Sequence, residues 1–218
     1  MDLSNEKIIE VLEPFVSDHK QTLIDNVLAK RTRHVTLAFE DIDKPHNVSA
    51  VLRTAECMGI QDLHFIENQS VYTENKQIVQ GATKWVTMHH HAGEVNNIDS
   101  CYTKLRARGY TIYATSLYSD STSIYDLDPK EKTAIVFGTE SEGISEEAGR
   151  KADGLVHIPM AGFTESFNLS VSATICLTVL KNRNKRWPSI SNEEKLELRA
   201  EWYRKIVREA DKILEHSS

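Results

Sequence analysis

The chain has 218 residues and a mass of 24.8 kDa, with 40% hydrophobic and 27% charged residues, which suits a globular protein with one well-buried core. No apolar run approaches the roughly 20 residues that span a bilayer, and the N-terminal segment lacks the pattern of a signal peptide, so we expect a cytoplasmic protein without a membrane partner. The formal net charge of −6 argues, on average, against nucleic-acid binding, because neutralising phosphates requires Lys and Arg.

The N-terminal residues 4–30 predict two short helices. Ser4 and Ser17 can each cap a helix start, Pro14 separates the two stretches, and apolar residues recur within each at helical spacing. We expect this part, residues 1–33, to be a helical extension.

Residues 34–187 predict an α/β domain. Apolar runs typical of strands alternate with segments of helical periodicity, which favours a mainly parallel sheet flanked by helices. The predicted strands are 34–39, 62–66, 85–89, 110–117, 133–137 and 155–158, and the predicted helices are 47–58, 96–108 and about 166–185.

The C-terminal residues 188–218 predict a second helical extension. From Ser191 onward the apolar residues follow steps of four and three, as in one long helix with a continuous seam. The seam must pack against another surface, and the pattern leaves open whether that surface is in the same subunit or in a partner subunit.

Two compact basic clusters depart from the acidic average. The first surrounds Arg31 and Arg33, and the second contains Arg183 and Lys185. These four residues are candidate contacts for nucleic-acid phosphates, while solvated helix ends that complement the helix dipole are the open alternative.

The sequence offers little for a metal. Three scattered cysteines lack metal-ligand spacing, and in the run His89-His90-His91 only the first and last side chains can share one face of a strand. We therefore expect no metal site. The phosphate-binding loop, the dinucleotide fingerprint, the zinc-protease motif and the serine-hydrolase motif are likewise not found in the sequence.

Three segments carry the candidate chemistry. Residues 44–59 contain Asn47 and Arg53, and a capping Asn with a surface Arg is the plain structural alternative. Residues 134–144 are a buried-looking strand that opens into a glycine-bounded loop with Glu140, as at ligand sites of α/β folds. In residues 158–173, Ser166 and Asn168 lie at a predicted helix start. Simple helix capping is the alternative to a role of these polar side chains in the functional site.

Together these segments resemble the three signature motifs of the SpoU/TrmH family of RNA 2′-O-ribose methyltransferases. They match N-x-x-x-x-x-R-x-A with a following Gly, G-x-E-x-x-G, and I-P-M-x-G-x-x-x-S-x-N-x-S, in the family's order, from about Phe39 to Ala173. Phe167, where members commonly have Leu, and Ser49, where many have Gly, depart from the pattern. Phe167 could alter the wall of the cofactor pocket.

The resemblance implies an α/β fold with a C-terminal trefoil knot that binds S-adenosylmethionine. The cofactor would contact Thr115, Gly138, Ile158 and Phe167, and the enzyme would be a homodimer with its active site near the subunit interface. The segment around Lys44 to Asn47 and the short helical flanks are most similar to the tRNA guanosine 2′-O-methyltransferases, whose expected target is guanosine 18 of the D-loop.

The resemblance also implies roles for individual residues. Arg53 would lie near the ribose 2′-OH, where a permanently protonated guanidinium can orient the hydroxyl and stabilise oxyanion charge, with an RNA phosphate accepting the proton. Asn47, Ser166 and Asn168 would position Arg53 and the ribose. Glu140 would orient a neighbouring residue through a hydrogen bond, or would have a purely structural role. A ribosomal-RNA 2′-O-methyltransferase and a non-catalytic RNA-binding module are the competing functions.

Overall fold

The computed structural model describes residues 3–42, 44–71, 81–117, 121–128, 131–184 and 187–217. Contacts along the backbone divide the chain into two compact units. One unit runs from Arg33 to Pro188, and the other combines the N-terminal residues up to Thr32 with the C-terminal residues from Ser189.

The larger unit is built on a seven-stranded sheet in the order β3-β2-β1-β6-β4-β7-β5, and every pairing recorded between these strands is parallel. The strands are β1 (Val35–Glu40), β2 (Asp62–Ile66), β3 (Thr87–His91), β4 (Thr111–Thr115), β5 (Thr122–Ser123), β6 (Thr133–Phe137) and β7 (Gly154–His157). The neighbouring strands β1, β2 and β6 are buried at every position, as expected where helices cover both faces of a parallel sheet. The predicted mainly parallel α/β sheet is confirmed.

Helices cover this sheet in two groups. The described helices of the unit are α3 (Pro45–Cys57), α4 (Asn97–Ala107), α5 (Glu146–Lys151) and α6 (Leu169–Arg183), with one 3-10 turn at Ala82–Lys84. One apolar cluster joins α3 and α6 to the side chains of Phe39, Phe65 and Phe137, and a second joins α4 and α5 to Ile112 and Val136. The site-bearing loops are therefore anchored in a packed core.

The main differences from the predicted elements arise at boundaries. The third strand begins at Thr87, because Trp85 closes the preceding 3-10 turn with a hydrogen bond to the carbonyl of Ala82. The helix predicted from residue 166 begins only at Leu169, since Asn168 is its N-cap. The short β5 and the six-residue α5 have too few residues to produce a periodic signal.

The second unit is entirely helical in its described residues. It contains α1 (Asn5–Leu12), a 3-10 turn (Glu13–Phe15), α2 (Asp18–Leu28), α7 (Asn192–Ile206) and α8 (Ala210–Glu215). Ser4 and Ser17 cap α1 and α2 as predicted, each accepting a hydrogen bond from the backbone N–H three residues later.

The prediction of one long C-terminal helix is wrong. Val207 adopts an extended conformation and Glu209 a left-handed one, with φ of 55°, so the helix breaks between Ile206 and Ala210. The apolar seam nonetheless continues across the break, and α7 and α8 both contact α1 in the same chain. Leu12, Trp202 and Tyr203 are almost fully buried at this junction. Packing within the chain therefore accounts for the seam.

None of the described helices is both long enough and apolar enough to cross a lipid bilayer.

Candidate functional site

A cavity of about 830 Å³ opens at the carboxyl ends of β4, β6 and β7. Its walls come from residues 115–117, from the segment between Phe137 and Arg150, and from the segment between Leu155 and Cys176. Ligands of open α/β sheets bind at this edge of the strands. All four residues predicted to contact a cofactor, Thr115, Gly138, Ile158 and Phe167, line the cavity.

The loop after β6 folds back tightly on itself. The backbones of Thr139 and Gly143 exchange two hydrogen bonds, of 2.9 and 3.0 Å between N and O, and Gly143 has a φ of 74°. A Cβ on Gly138 would lie 1.9 Å from the carbonyl oxygen of Gly143. Only glycine fits there, so the loop can close directly against the backbone at the end of β6.

Three of the predicted catalytic residues meet in one hydrogen-bonded cluster. Nδ2 of Asn47, on the first turn of α3, lies 2.5 Å from Oε1 of Glu140, in the loop after β6. Nδ2 of Asn168 donates to the same Glu140 oxygen at 3.0 Å and to Oδ1 of Asn47 at 3.1 Å. Each residue comes from a different sequence motif. We call these three residues the amide–carboxylate cluster.

Two further residues hold the amide–carboxylate cluster. Lys44 forms an ion pair with Glu140. Ser170 donates to Oδ1 of Asn168 from its backbone N–H, at 2.9 Å, and from its hydroxyl, at 2.7 Å, which directs the Asn168 NH2 group toward Asn47 and Glu140. Sequence reasoning missed both roles, although Ser170 is the last residue of the S-x-N-x-S pattern.

The two remaining predicted catalytic residues stay outside this cluster. Arg53 is exposed on α3, and its guanidinium has no hydrogen-bond or ion-pair partner in the part of the chain that the structure describes. Ser166 is exposed and lines the cavity in the segment before α6. Both side chains are therefore open to a ligand from solvent.

The four predicted phosphate contacts differ in accessibility. Arg31 is 1% exposed, with its guanidinium carbon 5.4 Å from the ring centre of Trp202, so the prediction of a surface contact is wrong for this residue. Arg33 donates from Nε to the buried Asp62 at 2.7 Å. Arg183 is exposed and donates to the backbone carbonyl of Tyr125, and Lys185 lies outside the described residues.

The histidine run lies on β3 against β2. His89 and His91 share one face, as predicted, and both rings stack against His64 of β2. The ring centre of His64 lies 4.6 Å from that of His89 and 5.4 Å from that of His91. Nδ1 of His64 lies 3.1 Å from Nε2 of His91, and Cys101 is close by. Burial, together with the charge of His89, lowers the pKa of His64 to about 3, and burial lowers that of His91 to about 4. Both imidazoles are therefore neutral at physiological pH.

The chain is similar in sequence to a known protein family and to named relatives. Residues 34–178 match the model of the SpoU rRNA Methylase family. The chain is 37% identical over 211 residues to the tRNA (guanosine(18)-2′-O)-methyltransferase of Borreliella burgdorferi, with 95% of each chain covered. It is 31% identical to the enzyme of the same name from Thermus thermophilus, covering 87% of this chain and 98% of that one.

A solved structure has the same fold over most of the chain. The TrmH/SpoU tRNA modifying enzyme of Aquifex aeolicus superposes with a TM-score of 0.79 at 28% sequence identity, covering 88% of this chain and 98% of that chain. The cavity and the amide–carboxylate cluster lie within residues 34–178, which the family model matches.

Proposed function

The chain belongs to the SpoU rRNA Methylase family, and from that premise we propose that it transfers a methyl group from S-adenosylmethionine to the ribose 2′-OH of guanosine 18 in the D-loop of tRNA. Two relatives that carry the name of this activity match 95% and 87% of the chain. The observation that carries the proposal is the amide–carboxylate cluster at the edge of the cavity, because it unites polar residues from three separate motifs.

The cavity fits S-adenosylmethionine in size and lining. Its volume of about 830 Å³ lies within the range of small-molecule sites, and its lining includes both apolar side chains and the polar loop after β6. Thr115, Gly138, Ile158 and Phe167 would hold the cofactor. When bound, it supplies an electrophilic methyl group on a sulfonium.

The residues around the cavity would align and activate the ribose. Arg53 would orient the 2′-OH and stabilise the negative charge that develops on the oxygen as its proton leaves to an RNA phosphate. The oxygen would take up the methyl group while the bond between that methyl and the sulfonium sulfur breaks, which leaves a neutral thioether. A guanidinium remains protonated at accessible pH, so it acts as a donor and a charge and not as a base. Asn47, Ser166 and Asn168 position Arg53 and the ribose, while Glu140 fixes the two amides through its hydrogen bonds.

The RNA would be held by basic residues outside the cavity. Arg183 and Lys185 are our proposed phosphate contacts, together with Arg33. We propose the domain limits 1–33, 34–187 and 188–218, with the outer two as helical extensions of the methyltransferase domain. The division of the backbone contacts supports these limits.

We further propose a C-terminal trefoil knot and a cytoplasmic homodimer. The fold likeness to the Aquifex aeolicus enzyme supports the knot. Apolar side chains exposed beside the cavity, among them Phe163, Phe167 and Val171, support an interface between two copies. Light scattering coupled to gel filtration would test the dimer, for which a mass near twice 24.8 kDa is expected.

The function is tested by transfer of labelled methyl from S-adenosylmethionine to unmodified tRNA transcripts, with the modified nucleotide mapped. A single 2′-O-methyl at guanosine 18 is expected. Methylation of ribosomal RNA instead of tRNA would assign the competing enzyme function. Binding of RNA without cofactor binding would leave a non-catalytic module.

A further inference from the structure

A buried carboxylate at the end of β1 is bound to the end of the cavity loop. Glu40 is the last residue of β1 and is only 3% exposed. Both of its oxygens bind Ser145: Oε2 accepts from the backbone N–H at 2.8 Å, and Oε1 accepts from the hydroxyl at 2.6 Å. No ion pair of Glu40 is recorded among the described residues.

Ser145 joins the cavity loop to α5. Its Oγ accepts from the backbone N–H of Ala148 at 3.1 Å and so caps the helix. Because its hydroxyl proton is directed to Glu40, the oxygen lone pairs remain available for that cap. Ser145 itself lines the cavity, as do its neighbours Ile144 and Glu146.

Apart from the side-chain contacts of Glu140, the other described hydrogen bonds of this loop are internal. Thr139 and Gly143 pair with each other, and the Thr139 hydroxyl accepts from the backbone N–H of Glu142 at 3.1 Å. These bonds define the shape of the loop but do not attach its end to the sheet. The two bonds from Glu40 make that attachment, and β1 pairs directly with β6, from which the loop emerges.

A carboxylate is a costly group for a purely mechanical attachment. Burying a charge without a cationic partner is unfavourable, whereas bonds from N–H and O–H donors to an ionised acceptor are short and strong. A neutral acceptor would cap or tether at lower cost. The strong carboxylate acceptor therefore suits a position at which the loop must keep one conformation.

We propose that Glu40 is a positioning residue for cofactor binding, which acts through Ser145 to hold residues 138–145 in their binding conformation. This inference rests on the proposed function. Because Glu140 lies in the same segment, the attachment also keeps the amide–carboxylate cluster in register with the cavity.

The test compares Glu40→Gln with a matched control, Glu67→Gln. Glu67 directly follows β2, its side chain is 5% exposed, and it contacts His90 and not the cavity. Affinity for S-adenosylmethionine is measured by calorimetry, KM and kcat by methyl transfer to tRNA, and folding by thermal unfolding. We expect about ten-fold weaker cofactor binding and a similar rise in its KM for Glu40→Gln, with a smaller change in kcat, and wild-type affinity for Glu67→Gln.

Two variants of the partner residue complete the test. Ser145→Thr keeps both donors and should retain cofactor affinity. Ser145→Ala should weaken cofactor binding by about as much as Glu40→Gln does. The double variant Glu40→Gln/Ser145→Ala should bind the cofactor little more weakly than either single variant. Wild-type affinity in Glu40→Gln, or equal losses in Glu40→Gln and Glu67→Gln, would overturn the inference. Failure of the wild-type protein to bind the cofactor would instead overturn the proposed function on which it rests.

Discussion

Nδ2 of Asn168 lies 3.1 Å from Oδ1 of Asn47, although 121 positions separate the two residues in the chain. The contact orients both amides toward one oxygen of Glu140. A capping role for Asn168 alone would need only its Oδ1, which accepts from Ser170. The Nδ2 contacts therefore serve the amide–carboxylate cluster.

Replacing Asn47 by Asp should strongly slow methyl transfer without unfolding the protein. The new carboxylate would face Glu140 across a distance that is now 2.5 Å, and two like charges so close repel. We expect kcat to fall about 100-fold, the loss typical of a displaced transition-state donor. Steady-state kinetics with tRNA measure it.

Asn97→Asp is the matched control, because the buried Asn97 also donates from Nδ2 to an oxygen, the carbonyl of Glu67, but away from the cavity. It should lower the unfolding temperature and leave kcat of the folded enzyme near wild type. Equal kcat losses in the two variants would argue against a special role for Asn47.

Arg53→Ala should remove turnover and spare cofactor binding. The exposed guanidinium has no hydrogen bond or ion pair with another described residue, so its loss costs the fold little. Loss of charge stabilisation at the oxyanion should lower kcat by a factor of about 100 to 1,000. Single-turnover methyl transfer and calorimetric cofactor titration measure the two effects. Arg208→Ala, at an exposed position of the helical unit, is the control. A parallel loss of cofactor affinity in Arg53→Ala would contradict the role.

Gly138→Ala should abolish the cofactor site. The added methyl group would lie 1.9 Å from a backbone oxygen of Gly143, so the hairpin would have to open. Overpacking of this kind costs about 1–3 kcal/mol, and we expect at least ten-fold weaker binding of S-adenosylmethionine.

Gly162→Ala tests whether glycine as such matters in these loops. A Cβ there would have its nearest neighbour at 3.9 Å. Cofactor affinity should stay at the wild-type level. Weakening in both variants would show that backbone freedom, and not the contact with Gly143, limits binding.

The buried histidines should make the fold sensitive to acid. Their pKa values in the folded protein, about 3 for His64 and about 4 for His91, lie below the ordinary 6.5, so the unfolded chain binds protons first. The free energy of unfolding should fall as pH drops from about 6.5 toward 4, by up to about 1.4 kcal/mol per pH unit for each histidine.

Urea titrations at several pH values measure this slope. The double variant His64→Leu/His91→Leu should have a smaller slope, and His19→Gln, at an exposed position, should keep it. An unchanged slope in the double variant would assign the acid sensitivity to the carboxylates.

The sequence predicted the strands and the motifs more fully than their connections. Strands β2 and β6 have the predicted limits because each is a short segment that is buried at every position. The break at Val207 could not be predicted, because the apolar seam continues through it. A seam reports which residues are buried, whereas the break depends on the backbone angles of Val207 and Glu209.

In the candidate site, too, the local motifs were predicted and the contacts between them were not. Motif spacing identified Asn47, Glu140 and Asn168, but that they share one oxygen depends on the order of strands in the sheet. Arg31 was mistaken for a surface residue because a basic run at a helix end has the same pattern whether or not an indole covers it. The link between Glu40 and Ser145 crosses 105 positions and leaves no local signal.

The pairing of β1 with β6 brings together segments about one hundred residues apart. Closing so long a loop is entropically slow, and local helices form well before it. The amide–carboxylate cluster and the attachment of the cavity loop to Glu40 both require that pairing. During refolding from denaturant, helical circular dichroism should therefore recover first and cofactor binding last, which would make binding of S-adenosylmethionine a kinetic marker for closure of the sheet.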